Sequence, residues 1–265
     1  MAMERLVCGS EAWDYSADHL ARYLFAAEYA KGKRVLDAGT GPGYGAFILK
    51  QNGARHVQAV DCDDETLSAA RKTFGCSEIE FLRDDCHELK KVTGPFDLIC
   101  SFENIEHLKS PMLFLRAAAR LLSPGGILLC STPDRAGTPS FVDGHPANPF
   151  HFHEWYRDEF QTMLVQCFGE IEMRAQLRSN ALVLRTEAVA ALQDHLAYLW
   201  GNPVRRGARW LLGIFGCGRS WPSITGLRAP SIGDYPIVDA PIAPLVGKPW
   251  CHFAICRRPQ TEAVA

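Results

Sequence analysis

Two periods of apolar spacing take turns along this chain. Between residues 16 and 30, Leu20, Tyr23, Leu24 and Ala27 recur at helical spacing. Short apolar runs of the kind that form buried strands follow at "RVLDA" (34–38), "HVQAV" (56–60), "IEFL" (79–82), "FDLICS" (96–101) and "GILLCS" (126–131). Between them lie the helical stretches "YGAFILK", "DDETLSAARKTF" and "PMLFLRAAARLL". This βαβα rhythm predicts an α/β protein with a doubly wound, mostly parallel sheet. Such sheets bind ligands at the carboxyl ends of their strands, where this chain places its unusual residues.

Two irregular stretches interrupt the rhythm. The Pro/Gly-rich connection 132–150 is long for a loop inside a compact domain, which favours a functional role. Later, "FGEIEMRAQL" (168–177) and "WCHFAICRR" (250–258) read as two final strands. The segment between them has Val189, Leu192, Leu196 and Leu199 on one helical face. The expected organisation is one domain over 1–265. It has a helical lead-in (1–31), a core (32–180), an insertion or lid (181–248) and a final strand (249–258).

Composition narrows the classes. With 28 Lys+Arg against 30 Asp+Glu the net charge is −2, which argues against a chain built to coat nucleic acid. The first twenty residues hold no apolar run of the signal-peptide kind, and no apolar stretch is long enough to cross a bilayer. The ten cysteines form no CxxC pair, so reduced thiols of a cytoplasmic protein are expected.

The strongest local signal is "VLDAGTGPGYGAF" (35–47), where Gly39, Gly41 and Gly43 let backbone approach a ligand at a strand-to-helix turn. A nicotinamide dinucleotide site is the rival reading, because Gly41 to Ala46 fits GxGxxA and Asp61 follows Gly41 by twenty residues. The D-x-G-x-G-x-G of Asp37–Gly43 resembles the first motif of class I S-adenosylmethionine-dependent methyltransferases. The likeness continues in order through Asp61 and Cys62 in "AVDCDD", Asp85-Cys86 in "FLRDDCHEL", "FDLICSFENIEHL" with Ser101, and "LLSPGGILLCSTPD". It implies a Rossmann-like sheet of about seven strands whose last is antiparallel. It also implies S-adenosylmethionine as cofactor, with Asp37 at the sulfonium and amino-acid tail, Asp61 at the ribose and Asp85-Cys86 at the adenine edge. Cys62 and Cys86 are read as small residues packed near the adenosine.

Beyond the fourth strand, Glu103-Asn104-Ile105-Glu106-His107 places 103, 106 and 107 on one face if it is helical. Two carboxylates and an imidazole aimed at one point suit a hard cation that takes a further ligand. The stretch "HPANPFHFHEW" (145–155) offers that ligand. ExxEH with a downstream H-x-x-E resembles metal-dependent small-RNA 2′-O-methyltransferases. It is also similar to ubiquinone-pathway O-methyltransferases and to bacterial glycan-cluster enzymes with N-P-F-H-x-x-E. The resemblance implies Glu103, Glu106, His107 and His151 as ligands of Mg²⁺ or another divalent cation, with His153 as the alternative to His151. Without metal, His107 or His151 is the candidate general base, His145 and His153 are surface groups, and Glu154 caps a helix. Tyr156-Arg157 stands where the family has a Ser or Thr cap, which leaves the next helix start open.

The acceptor class implied is a small molecule or glycan, methylated on oxygen. Residues 201–233 carry Arg205, Arg206, Arg209, Arg219 and Arg228 among Trp210, Phe215 and Trp221, with no acidic residue. That composition reads as a lid over an anionic acceptor, as a membrane-surface contact over 201–228, or as packing with solvated arginines. An RNA partner is less favoured.

Overall fold

The computed structural model describes residues 13–137, 146, 148–179, 233, 235–239 and 247–259. His145, the helical face from Val189 to Leu199 and the arginine-rich stretch 201–228 lie outside the described residues. The elements run α1 (Trp13–Ala30), β1 (Arg34–Ala38), α2 (Tyr44–Gln51), β2 (His56–Asp61), α3 (Asp64–Phe74), β3 (Ile79–Arg83) and β4 (Phe96–Phe102). A 3-10 turn (Ile105–His107) follows, then α4 (Pro111–Leu121), β5 (Leu122–Pro133), α5 (Arg157–Leu164), β6 (Phe168–Ser179), β7 (Ile237–Asp239) and β8 (Gly247–Pro259).

The eight strands form one sheet in the order β3-β2-β1-β4-β5-β8-β6-β7. The first five are parallel, and β8 runs antiparallel between β5 and β6. One more strand is present than the sequence pattern indicates. The three-residue β7 lies inside the stretch read as an insertion, pairing Ile237 to Asp239 with Gln176 to Arg174. An edge strand this short leaves no periodic signal to read.

Strand alternation sends neighbours to opposite faces. Leu36, Ile99, Leu128 and Cys256 join one core with Phe114, Leu115, Phe160 and Leu164 of α4 and α5. Val35, Leu98, Leu129 and Ile255 join the other with Tyr23, Ala26, Leu49 and Leu67 of α1, α2 and α3. Burial on both faces explains why the central strands read as continuous apolar runs. The order steps outward from β1 through β2 to β3, then reverses to place β4 on the far side of β1. The switch point therefore lies between the carboxyl ends of β1 and β4.

Local signals set the helix starts. Asp63 caps α3 by accepting from the Thr66 amide at 2.9 Å, and Pro111 opens α4. At α5 the Glu159 carboxylate accepts from the Tyr156 amide at 2.9 Å, half of a capping box, so no Ser or Thr is needed. The inward stripe expected of α1 is only partly apolar. Leu24 is exposed, whereas Asp18 and Arg22 are buried among Ala17, Ala21, Tyr23 and Ala26.

Candidate active site

The turn after β1 is shaped by what touches its glycines. Gly39 has φ +79°, and a Cβ there would lie 2.7 Å from Cγ of Asn104, so the turn after β4 packs directly against it. Gly41 has φ +51°, and an added Cβ would meet nothing within 4 Å, which leaves its face open to a ligand. Gly43 has a packing role instead, since its Cβ would fall 2.8 Å from Ala70 and Phe81.

Asp37 at the end of β1 is fully buried. Its oxygens accept from Tyr23 Oη at 2.9 Å and Thr40 Oγ1 at 2.7 Å. Burial raises its pKa to about 6 despite these hydrogen bonds, with Asp61 adding to the rise. Asp61, at the end of β2, accepts from the amides of Gly41 at 2.9 Å and Asp63 at 3.0 Å, so it lies along the glycine turn. Asp85 accepts from the His87 amide at 2.8 Å and its Nδ1 at 2.7 Å. These bonds outweigh burial and hold its carboxyl low. Burial, with Asp61, raises the thiols of Cys62 and Cys86, so neither is a ready nucleophile. Ser101 is fully buried and its Oγ accepts from Asn104 Nδ2 at 3.0 Å, orienting the amide that covers Gly39.

After β4 the chain does not form the α-helix that the i, i+3, i+4 pattern implies. Glu103 has φ +49°, and its amide bonds to the Ser131 carbonyl at 3.2 Å, extending the β4–β5 pairing by one residue. Helical geometry begins only at Ile105 and lasts three residues. Glu103 consequently stays outside the group that Glu106 and His107 form with His151, although its charge still reaches Glu106. Its Oε1 accepts from Ser131 Oγ at 3.1 Å and Cys251 Sγ at 3.2 Å and faces Arg22 Nη1 at 3.7 Å.

Glu106, His107 and His151 do converge. One ligand atom from each lies within 4.8 Å of the others, and the two imidazole centroids are 4.9 Å apart. The loop bearing His151 is fastened to the 3-10 turn by backbone. The Phe152 amide donates to the Glu106 carbonyl at 2.9 Å, and His107 Nδ1 donates to the Phe150 carbonyl at 3.0 Å. Glu106 is fully buried, and Oε2 accepts from Thr132 Oγ1 at 3.0 Å. Its Oε1 has no hydrogen-bond partner among the described residues. Burial and then Glu103 push its carboxyl well above the usual range. His153 turns the other way, stacking on Trp155 with Nε2 3.3 Å from the Lys109 carbonyl. His151 therefore belongs to the cluster and His153 lies outside it, a split made by the irregular backbone of 151–153, which forms neither helix nor strand.

Three groups escaped the sequence reading. Glu154 does not cap α5. It is buried and accepts from His151 Nδ1 at 2.8 Å. Asn148 Nδ2 lies 3.1 Å from the other ring nitrogen of His151. Both stand three residues from His151, a symmetry visible in N-x-x-H-x-x-E. Arg22 is fully buried, with Nε donating to Gln176 at 2.7 Å and Nη2 to Asp18 at 3.0 Å. Burial opposes its charge, but Glu103, Cys251 and Asp18 raise its pKa overall. An arginine four residues after an aspartate in α1 was its only signal.

A model of the methyltransferase domain family matches residues 12–186. The chain belongs to this methyltransferase family. Its sheet order and glycine turn are those of the Rossmann-like class I enzymes. A protein named as a probable S-adenosylmethionine-dependent methyltransferase of Mycobacterium tuberculosis is 34% identical over 158 residues, 58% of this chain and 56% of the relative. A ubiquinone biosynthesis O-methyltransferase of Dinoroseobacter shibae is 36% identical over 129 residues, 44% of this chain and 51% of the relative. This methyltransferase thus spans about half the length of the curated relatives it matches. Among solved structures, an S-adenosylmethionine-dependent methyltransferase of Archaeoglobus fulgidus superposes with TM-score 0.57 at 15% identity, covering 93% of this chain and 94% of that one. The [4+2]-cyclase SpnF gives 0.56 at 18% identity, covering 98% and 88%. A cyclase on the same scaffold means that the fold alone does not name the reaction. Among the described residues, no helix is long and apolar enough to cross a membrane.

Proposed function

We propose that this methyltransferase moves the methyl group of S-adenosylmethionine to a hydroxyl of a small-molecule or glycan-like acceptor, with Glu106, His107 and His151 holding a divalent cation at the reacting oxygen. The observation that carries the reading is the convergence of these three groups from segments 44 residues apart in sequence, two of them just after Asn104, which packs against Gly39. Donor binding is supported by the open face of Gly41, with Asp37 and Asp61 on either side of the turn. Oxygen as acceptor atom is supported by the relatives named as ubiquinone O-methyltransferases.

The residues fit a cation. A buried carboxylate oxygen without a hydrogen-bond partner lies in a cluster with two imidazoles, and each imidazole has Nδ1 beside an oxygen acceptor. A divalent ion bound there would lower the pKa of an acceptor hydroxyl. Two nitrogen donors and one oxygen favour Mn²⁺, Co²⁺ or Zn²⁺ over Mg²⁺. The protein's own part is to hold donor and acceptor in line in a site shielded from water. If the cluster works without metal, the basic nitrogen of His151, backed by Glu154, takes the hydroxyl proton as oxygen attacks the sulfonium methyl. The eight described cysteines are free thiols, which favours a reducing, cytoplasmic setting.

Calorimetry with S-adenosylmethionine, S-adenosylhomocysteine and NAD tests the donor site. Binding of both adenosyl compounds and not of NAD is expected, and the reverse pattern would remove the proposal. For the cation, wild type is expected to retain Mn²⁺ or Zn²⁺ after gel filtration and Glu106→Ala to lose it. Equal metal content in the two proteins would leave the histidine-base route.

A further inference from the structure

The hydrogen bonds around His151 fix where its proton sits. The Phe150 amide, which can only donate, points at Asn148 Oδ1 at 3.0 Å. That assigns the oxygen of the Asn148 side chain, so its Nδ2 must be the donor facing His151 Nε2 at 3.1 Å. An N–H donor on Nε2 requires a lone pair there. On the other side of the ring, Nδ1 lies 2.8 Å from Glu154 Oε1, an acceptor. Both ends therefore demand the same form: a neutral imidazole with hydrogen on Nδ1 and the lone pair on Nε2. The side chains of His151 and Glu154 are only 9% and 2% exposed, so water does not compete for these bonds. Glu154 is itself held in place, since it immediately precedes Trp155, whose carbonyl accepts from the Arg135 amide at 3.1 Å and from His252 Nε2 at 2.9 Å.

We propose that Glu154 is a positioning residue: it fixes His151 as the Nδ1–H tautomer, so that Nε2 serves the cluster with Glu106 and His107, while Asn148 covers that lone pair in the resting protein. The same nitrogen is then wanted by the Asn148 amide and by whatever the cluster takes up, a cation or an acceptor proton. Entry of either requires the Asn148 side chain to swing off Nε2, which also releases the Phe150 amide from its Oδ1. The proposal deepens the reading of the cluster given above and rests on it. The tautomer, however, is fixed with or without a metal.

The test is the side-chain ¹⁵N spectrum of the full chain labelled in histidine, with His151 assigned by its loss in His151→Gln. Wild type is expected to show a protonated Nδ1 and an unprotonated Nε2. Glu154→Gln, whose amide oxygen still accepts, keeps that pattern, whereas Glu154→Leu loses it. With Mn²⁺ as probe, affinity is expected to fall by about 10- to 100-fold in Glu154→Leu. It should rise in Asn148→Ala, while S-adenosylmethionine affinity stays level in both. A protonated Nε2 in wild type overturns the proposal, whatever the variants do. So does a Glu154→Leu protein with the wild-type spectrum. Absence of Mn²⁺ binding by wild type removes the cation from the proposed function and leaves the positioning role to be decided by the spectrum.

Discussion

Replacing Arg22 with alanine is expected to destabilise the folded chain by about 3–5 kcal/mol. The guanidinium is fully buried and ties α1 to β6 through Gln176, to its own helix through Asp18, and to the turn after β4 through Glu103. Removing it leaves the buried Asp18 and the half-buried Glu103 as carboxylates with no cation between them. It also opens a void between α1 and the sheet. The loss is a large share of the 5–15 kcal/mol typical of a folded domain. Arg22→Lys keeps the charge but not the planar fork that reaches two acceptors at once, so a smaller loss is expected. Urea denaturation of the three proteins measures this. A loss below about 1 kcal/mol in Arg22→Ala, the range of a solvated surface pair, would show that the network is wetter than its burial indicates. Because Arg22 also steadies Glu103, the variant is expected to loosen the 3-10 turn that carries Glu106 and His107.

Asp37→Asn is expected to do the opposite: to stabilise the unliganded protein while damaging its site. The buried Asp37 carboxyl has its pKa raised from 3.8 to about 6. Folded protein thus holds this proton more tightly than unfolded protein does. The group's contribution to stability is fully present below pH about 3.8 and is lost as pH rises through about 6. A shift of this size corresponds to about 3 kcal/mol. The neutral amide carries no such linkage, so the stability of Asp37→Asn relative to wild type is expected to grow from pH 4 to pH 8. At about 2–4 °C per kcal/mol for a domain of this size, the melting midpoint at pH 8 should rise by roughly 6–12 °C. With Asp37 facing the donor as proposed above, S-adenosylmethionine affinity should fall tenfold or more, the loss of a charge-assisted contact of about 1.5–3 kcal/mol. Thermal melts across pH, with calorimetry at pH 8, check both halves. A stability difference that does not change with pH would mean that Asp37 is ionised at little cost in the fold. On the proposed donor site, Asp37 would give up apoprotein stability to keep an anion where a cation binds.

The candidate site was legible in unequal parts. Asp37, Asp61 and the open Gly41 follow from a strand, a glycine turn and a second strand in fixed order, all short-range features of sequence. Gly43 was read with them, but Ala70 and Phe81 give it a packing role that no local pattern reveals. Glu103 was misplaced because helical spacing was assumed for a turn that first extends the β4–β5 pairing, and strand length is decided by the neighbouring strand. His151 and His153 could not be ranked from sequence, since each side chain's direction depends on the backbone of an irregular loop. The bonds from the Phe152 amide to Glu106 and from His107 to Phe150 made that choice.

By itself the amino-acid order determined the alternation of strands and helices, the doubly wound sheet and the carboxylates at its strand ends. Each of these is encoded by periodicity or by turn chemistry within a few residues. Only the tertiary structure decided that Glu106, His107 and His151 meet while Glu103 turns toward Arg22. It alone put Asn148 and Glu154 on opposite nitrogens of one imidazole. Those outcomes depend on contacts between segments tens of residues apart, where a side chain's direction is set by the backbone bonds of a partner it meets only after folding.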